Sequence, residues 1–242
     1  MKNIMKRIKT LMLLMVVALT AVSLQSCDDD DDDYYPAFNL ATVTLKAPKV
    51  DGGKWFMQLD DSTTLEATNI ASHPYDNREL RAYIRYNDIK DMASAPASTS
   101  AIQKMYSVNV LTIDTILTKK MDPMVENTAE EYGSDPVEVV NSWETVAEDG
   151  YLNLRFRGYW GDLKKAHTIN LIHRTDANQP YLLQLYHDNK GDEGTIVADG
   201  LVGFRLPEAF NQGDEPITIT LQYESYSGKL KTVNFKYIPR KD

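Results

Sequence analysis

From Tyr34 onward, short runs of residues alternate between apolar and polar side chains, and turn-forming residues separate the runs. Successive side chains in a strand point to opposite faces, so a period of two describes strands with one buried and one wet face. In the first run, Phe38 to Ala47, Ala41, Val43 and Leu45 oppose Leu40, Thr42, Thr44 and Lys46. Asp51-Gly52-Gly53 supplies the left-handed residues of a tight hairpin, and Lys54 to Leu59 forms the return strand. Thr63 to Ala67, Glu79 to Ile89 and Met105 to Leu117 follow. In the fourth run, Leu80, Ala82, Ile84 and Tyr86 form the apolar face, and Arg81, Tyr83 and Arg85 the wet one. Five short strands, with the small polar stretch Asp91 to Ala101 as a loop before the last, fit a Greek-key barrel of OB type.

Residues 119–135 are acidic and weakly periodic, which predicts a linker between an OB-like domain at 37–118 and a second domain at 136–242. Asp135-Pro136-Val137-Glu138 has the pattern of a helix start, giving a short helix or turn through about Glu144 that would bury Val137, Val140 and Trp143. Seven strand candidates lie beyond it: Tyr151–Arg157, His167–Arg174, Tyr181–His187, Thr195–Ala198, Leu201–Leu206, Ile217–Glu224 and Lys231–Ile238. They predict an antiparallel β-sandwich, so the expected class is all-β throughout. The chain has one cysteine, so no intrachain disulfide is possible and apolar burial must hold each domain together.

That cysteine has an informative position. Lys2, Lys6, Arg7 and Lys9 precede the apolar run Leu11 to Val22, whose twelve residues suit a signal peptide better than a membrane span. Leu24-Gln25-Ser26-Cys27 then resembles the bacterial lipobox, in which the cysteine thiol takes a diacylglycerol. Residues 1–26 are therefore read as a lipoprotein signal peptide and Cys27 as the lipid-attachment residue of a tether through residue 36. Asp28 to Asp33 is an unbroken acidic run. It is a solvated spacer or, as in Bacteroidota lipoproteins whose export signals it resembles, a sorting signal. A calcium site is the third reading. The expected location is the cell envelope, on the outer membrane, facing either the periplasm or the cell surface.

After residue 26 the chain has 22 basic and 35 acidic side chains, a balance of −13. Nucleic acid is a poor partner for such a chain. The acidity is uneven: Tyr34–Lys120 has 10 basic and 9 acidic residues, while Met121–Asp242 has 12 and 20.

Two sets of motifs resemble the NigD-like lipoproteins. In the first half they are Phe56 to Asp61, Thr63 to Leu65, and Val108 through Lys119. In the second they are Asp135 to Val137, Tyr151 to Phe156, His167 to Leu171, and Leu185 to Asn189. The resemblance runs from the signal peptide to Pro239 and implies an N-terminal OB-like domain and a C-terminal sandwich. These motifs are core and turn patterns, and the family's name reflects association with a bacteriocin locus. An immunity-like role rests on that name alone.

No nucleophile elbow, P-loop, dinucleotide fingerprint or His-Glu-x-x-His is present, so neither an enzyme nor a metal or other cofactor is expected beyond the lipid on Cys27. His173 and His187 on neighbouring strands could share a metal, although strand-end histidines more often bond backbone groups. Asp188 to Gly194 offers oxygen ligands but reads more simply as a β-turn. The OB strand 2–3 face, with Trp55 and Met57, is a further binding candidate. Tyr159 and Trp160, flanked by Gly158 and Gly161, place two aromatics in an apparent loop. As exposed rings they would stack on a glycan or anchor an envelope protein, whereas Trp160 folded back would close one end of the sandwich.

Overall fold

The computed structural model describes residues 38–92, 104–126, 128–174 and 178–240. Cys27, the acidic run and most of the Asp91 to Ala101 loop lie outside the described residues.

The first domain is a closed five-stranded barrel. Its strands are β1 (Asn39–Lys46), β2 (Phe56–Gln58), β3 (Thr63–Ala67), β4 (Leu80–Met92) and β5 (Lys104–Thr115), in the order β1-β2-β3-β5-β4 with β4 returning to β1. The β1–β2 hairpin turns where Gly52 takes a φ of 72°. Parallel pairing of β3 with β5 completes the OB topology. Val43, Leu45, Met57, Leu65, Ile84 and Val108 fill the interior. Trp55 and Met57 are buried there too, and Trp55 donates its indole N–H to the Ile70 carbonyl at 3.0 Å. The strand 2–3 face expected to bind a ligand through them is instead core.

The second domain packs two sheets. One has the order β10-β11-β13-β14, formed by β10 (Thr168–His173), β11 (Leu182–Asp188), β13 (Ile217–Glu224) and β14 (Leu230–Tyr237). The other has the order β6-β12-β9-β7, from β6 (Leu117–Lys120), β12 (Ile196–Arg205), β9 (Tyr151–Trp160) and β7 (Glu138–Val139), with β8 (Val146–Glu148) also on β9. Leu152, Leu154, Leu171, Leu183, Val202, Phe204, Ile219 and Leu221 are buried between the sheets. Two pairings, β11 with β13 and β12 with β6, are parallel, so this sandwich is mixed.

Three details differ from the sequence reading, each for a physical reason. Residues 119–135 do not span a gap: the chain leaves the barrel at buried Ile116 and enters the sandwich sheet at once as β6. The short helix, α1, covers Thr128–Tyr132, ahead of the expected start. Asp135 instead accepts the Asn189 N–H at 2.8 Å, while Val137 N–H bonds the Glu224 carbonyl, so this segment is tied to the sandwich. Asp199-Gly200, which resembles a turn, lies within the single strand β12. A Cβ at Gly200 would stand 2.5 Å from the Phe156 ring, so the glycine makes room for an aromatic across the ladder.

The junction of the two domains is built on Arg81, whose face of β4 the alternation had assigned to water. It does face out of the barrel, but the sandwich covers it completely. Its guanidinium donates to Thr44 (2.8 Å), Thr42 (3.4 Å), Asn153 (3.2 Å) and the Glu148 carboxylate. The Arg81 stem passes Gly203, where a Cβ would stand 3.0 Å from Arg81 Cγ. The tip of the β8–β9 hairpin docks beside it. There Asp149, at φ 46°, pairs with Lys46 at 2.6 Å and bonds Asp61 through its backbone N–H. Farther along, Glu79 accepts two bonds from Arg240 (2.7 and 2.9 Å) and one from the Tyr151 hydroxyl (2.8 Å), with Arg205 at 3.0 Å.

Removing one member of a buried ion pair strands the other charge. Arg81→Met should therefore lower stability by about 3–5 kcal/mol in urea unfolding, and the double variant with Glu148→Gln should recover part of the loss. Parent-like stability of the single variant would contradict this role. Burial alone would raise the Glu79 carboxyl, but the bonds from Arg240 and Tyr151 and the charge of Arg205 outweigh it and lower the group to about 2. A carboxylate depressed in the folded state contributes stability that is complete above its unfolded value near 4.5 and is lost as pH falls toward 2. The stability difference between parent and Glu79→Gln should shrink across that window; a difference independent of pH would refute the assignment.

Candidate functional site

Strand β9 organises the candidate site because its two faces do different work. Leu152, Leu154, Phe156, Gly158 and Trp160 point inward, and Tyr151, Asn153, Arg155, Arg157 and Tyr159 point outward. Tyr159 and Trp160 therefore lie at the end of a strand, on opposite faces, and do not form a common platform. Trp160 lies back over Gly158, where a Cβ would meet its ring at 2.7 Å, and packs against the sandwich core. It stacks on His167 with centroids 4.5 Å apart and planes within 5°. Tyr159 is 44% exposed and faces Tyr226 at 4.5 Å. The Tyr226 hydroxyl, pushed up to about 12 chiefly by burial, donates to the Arg157 carbonyl at 2.8 Å.

On the outer face of β9, the two arginines of the strand are neutralised by acids from neighbouring elements. Asp199 of β12 stands opposite Arg157 and receives bonds of 2.6 and 3.1 Å from it. Arg155 adds contacts of 3.0 and 2.8 Å to the same carboxylate. The Arg157 bonds, with those of Arg155, hold the Asp199 carboxyl below its ordinary range despite desolvation. Arg155 also faces Glu144 at 3.6 Å, and Glu138, opposite Arg157 on β7, pairs with Lys231 at 2.7 Å. Next to Glu144, Trp143 is 52% exposed, its ring 5.8 Å from Tyr83 of the barrel. The strip thus runs from Tyr83 and Trp143, past Arg155, Asp199 and Arg157, to Tyr159 and Tyr226.

The histidines are arranged differently from the expected His173–His187 pair. His173 bonds the Pro180 carbonyl at 2.8 Å and meets Phe210 edge-on. His187 lies 3.0 Å from His167, whose other ring nitrogen is 3.1 Å from Asp192. Asp192 also accepts the Gly161 and Asp162 N–H groups, so it fastens the turn after β9 instead of presenting a cation ligand. Burial first, then the neighbouring His167, lowers the basicity of His187. In the same loop Asp188 pairs with Lys190. Among the described residues, no group of three His, Cys, Asp or Glu is placed to hold a metal ion.

Trp143, Tyr226 and the His167–His187–Asp192 chain were missed at the sequence level. The β10–β11 register, Ile169 opposite His187, was the available signal, since it sets His167 diagonally across from His187. Trp143, expected to be buried on a helix ending near Glu144, instead sits in the turn between β7 and β8, where nothing of the helix forms and the ring is exposed.

The three tryptophans have different exposures: Trp55 is buried, Trp160 is half-buried and Trp143 is open. Trp143→Phe should therefore remove most of the acrylamide-quenchable emission, and Trp160→Phe much less. The reverse order would place the exposed ring at Trp160.

Comparison with known proteins agrees with this architecture. Residues 42–116 match the model of the NigD-like N-terminal OB domain, and residues 120–237 that of the NigD-like C-terminal beta sandwich domain. A crystal structure from Parabacteroides distasonis, provisionally described as toxin-related, is 26% identical and superposes with a TM-score of 0.60 over 84% of this chain and 94% of its own. A NigD-like immunity protein from Bacteroides caccae is 22% identical, with a TM-score of 0.54 over 85% of this chain and 99% of its own. A Bacteroides fragilis protein, provisionally described as a lipoprotein, shares the fold at 16% identity and a TM-score of 0.54, over 84% of this chain and all of its own. A search of curated proteins finds no match. With both family domains matched in order across most of its length, the chain belongs to the NigD-like family.

Proposed function

We propose that this protein is a lipoprotein of the cell envelope, anchored through Cys27, whose barrel and sandwich act together as a non-enzymatic binding or accessory module. The observation that carries the reading is the position of the single cysteine. It follows a basic segment, a twelve-residue apolar run and Leu24-Gln25-Ser26, where a lipid would be attached. An exported protein gains little from a lone thiol, which is an oxidation liability, so a modified cysteine explains its place better than a free one. The provisional description of the Bacteroides fragilis relative as a lipoprotein supports this location. The run Asp28 to Asp33 would hold the folded part away from an anionic membrane and, as a sorting signal, take it to the outer surface.

For the binding role, the Arg81 junction supports the reading: a buried ion pair with four side-chain partners holds loops of both domains in a fixed relation. The partner is an envelope protein or a glycan. Contact with a toxin, the immunity role in the description of the Bacteroides caccae relative, would be one form of protein binding.

Cys27→Ala should move the protein from the membrane fraction to the soluble fraction and abolish labelling by a fatty-acid probe. Unchanged partitioning would mean that the lipid is not the anchor. Protease added to intact cells should degrade the parent if the module faces outward.

A further inference from the structure

We propose that the outer face of β9 is a binding strip for a neutral oligosaccharide, extending from Trp143 to Tyr159. The proposal rests on the reading of the chain as a binding module and names its ligand class and site.

Among the described residues, the large hydrophobic side chains left exposed include two aromatics, Trp143 and Tyr159. Both lie on this strip, one at each end. Each has a second ring behind it, Tyr83 at 5.8 Å and Tyr226 at 4.5 Å. A flat ring held in place by a neighbour offers an apolar surface at little entropic cost, which suits the C–H face of a pyranose. Four residues of extended chain separate Arg155 from Tyr159, about 13 Å, and Trp143 stands at the Arg155 end, so the ligand would be several sugar rings long.

The polar groups between the rings favour a neutral ligand. Arg155, Arg157 and Lys231 are matched by Asp199, Glu144 and Glu138. A polyanion would face three carboxylates and a polycation three basic groups. Vicinal hydroxyls both donate and accept, so they can use guanidinium N–H groups and carboxylate oxygens side by side without a charge of their own. The pairing also fixes those groups in direction before a ligand arrives.

The strand's place in the sheet disfavours an extended polypeptide. β9 is paired with β12 on one side and with β7 and β8 on the other, so its backbone offers no free ladder for strand addition. An oligosaccharide needs no such ladder.

The test uses the full lipidated chain in detergent micelles, titrated calorimetrically with neutral hexasaccharides (cellohexaose, xylohexaose, mannohexaose and chitohexaose in its N-acetylated form). A galacturonate hexamer is the charged comparison. At least one neutral probe should bind and alter tryptophan emission. Trp143→Ala and Tyr159→Ala should each weaken binding about tenfold or more, with circular dichroism unchanged. Val50→Ala, in the exposed barrel turn, should bind like the parent, and Trp143→Phe should retain part of the affinity. The proposal is overturned if no neutral probe binds, if the acidic hexamer binds better, or if affinity survives in the Trp143→Ala/Tyr159→Ala double variant. Reproducible binding of a purified envelope protein, lost in that same double variant and unaffected by the sugars, would assign the strip to protein recognition and also overturn it. None of these outcomes depends on membrane partitioning, so failure here is distinguishable from failure of the lipid anchor.

Discussion

The guanidinium of Arg81, buried at the seam of two β domains, is the constraint from which the rest of the arrangement follows. Taking such a charge out of water costs several kcal/mol, and the cost is offset only where nearly all of its donors find partners. Thr42 and Thr44 supply partners from the barrel wall, and Asn153 and Glu148 from the sandwich. Neither domain alone completes the set. The neighbouring pairs, Lys46 with Asp149 and Glu79 with Arg240, repeat the pattern with one partner on each side. A seam built this way specifies geometry more than it adds stability, because a slightly different docking angle would leave a buried ion unsatisfied.

That seam also determines where the binding strip begins. The outward residues of β9 run from covered to open: Tyr151 and Asn153 lie beneath the barrel, Arg155 is half-buried, and Arg157 and Tyr159 are exposed. The covered end is the one that lies against the barrel, where Arg81 bonds Asn153 and Glu79 accepts the Tyr151 hydroxyl. Tyr83 follows Arg81 by two residues on the same face of β4, which puts it at that edge against Trp143. One strand of the barrel thus provides both the ion that fixes the docking and the ring that backs the first aromatic of the strip.

The fold class and the order of domains were legible in the sequence because period-two alternation reports which face of a strand is buried within its own domain. Its blind spot is burial by another domain. Arg81, Tyr151 and Asn153 all lie on faces turned away from their own hydrophobic cores, and all three are covered. Nothing in the local pattern distinguishes a face wet with water from one dry against a neighbour. Turn chemistry misled in a related way at Asp199-Gly200, where the glycine accommodates Phe156 and the aspartate serves two arginines across the ladder. The helix start at Asp135 failed because its carboxylate is used by a distant turn at Asn189. In each case a residue with a strong local preference is committed to a tertiary partner.

The separation of Tyr159 from Trp160 has a general consequence for finding sites in chains of this kind. Adjacency in sequence suggests a shared surface, but on a strand adjacent residues are the two that cannot share one. The groups that meet are spaced by two along the strand or stand opposite in the ladder, as Arg155 and Arg157 share Asp199 and Arg157 stands opposite Glu138. Trp160 belongs to the other face, where it covers the His167–His187–Asp192 chain, and Gly158 is the residue that lets it lie flat there. The same glycine that made the segment look like a loop therefore removes one aromatic from the surface, and strand parity leaves the other exposed.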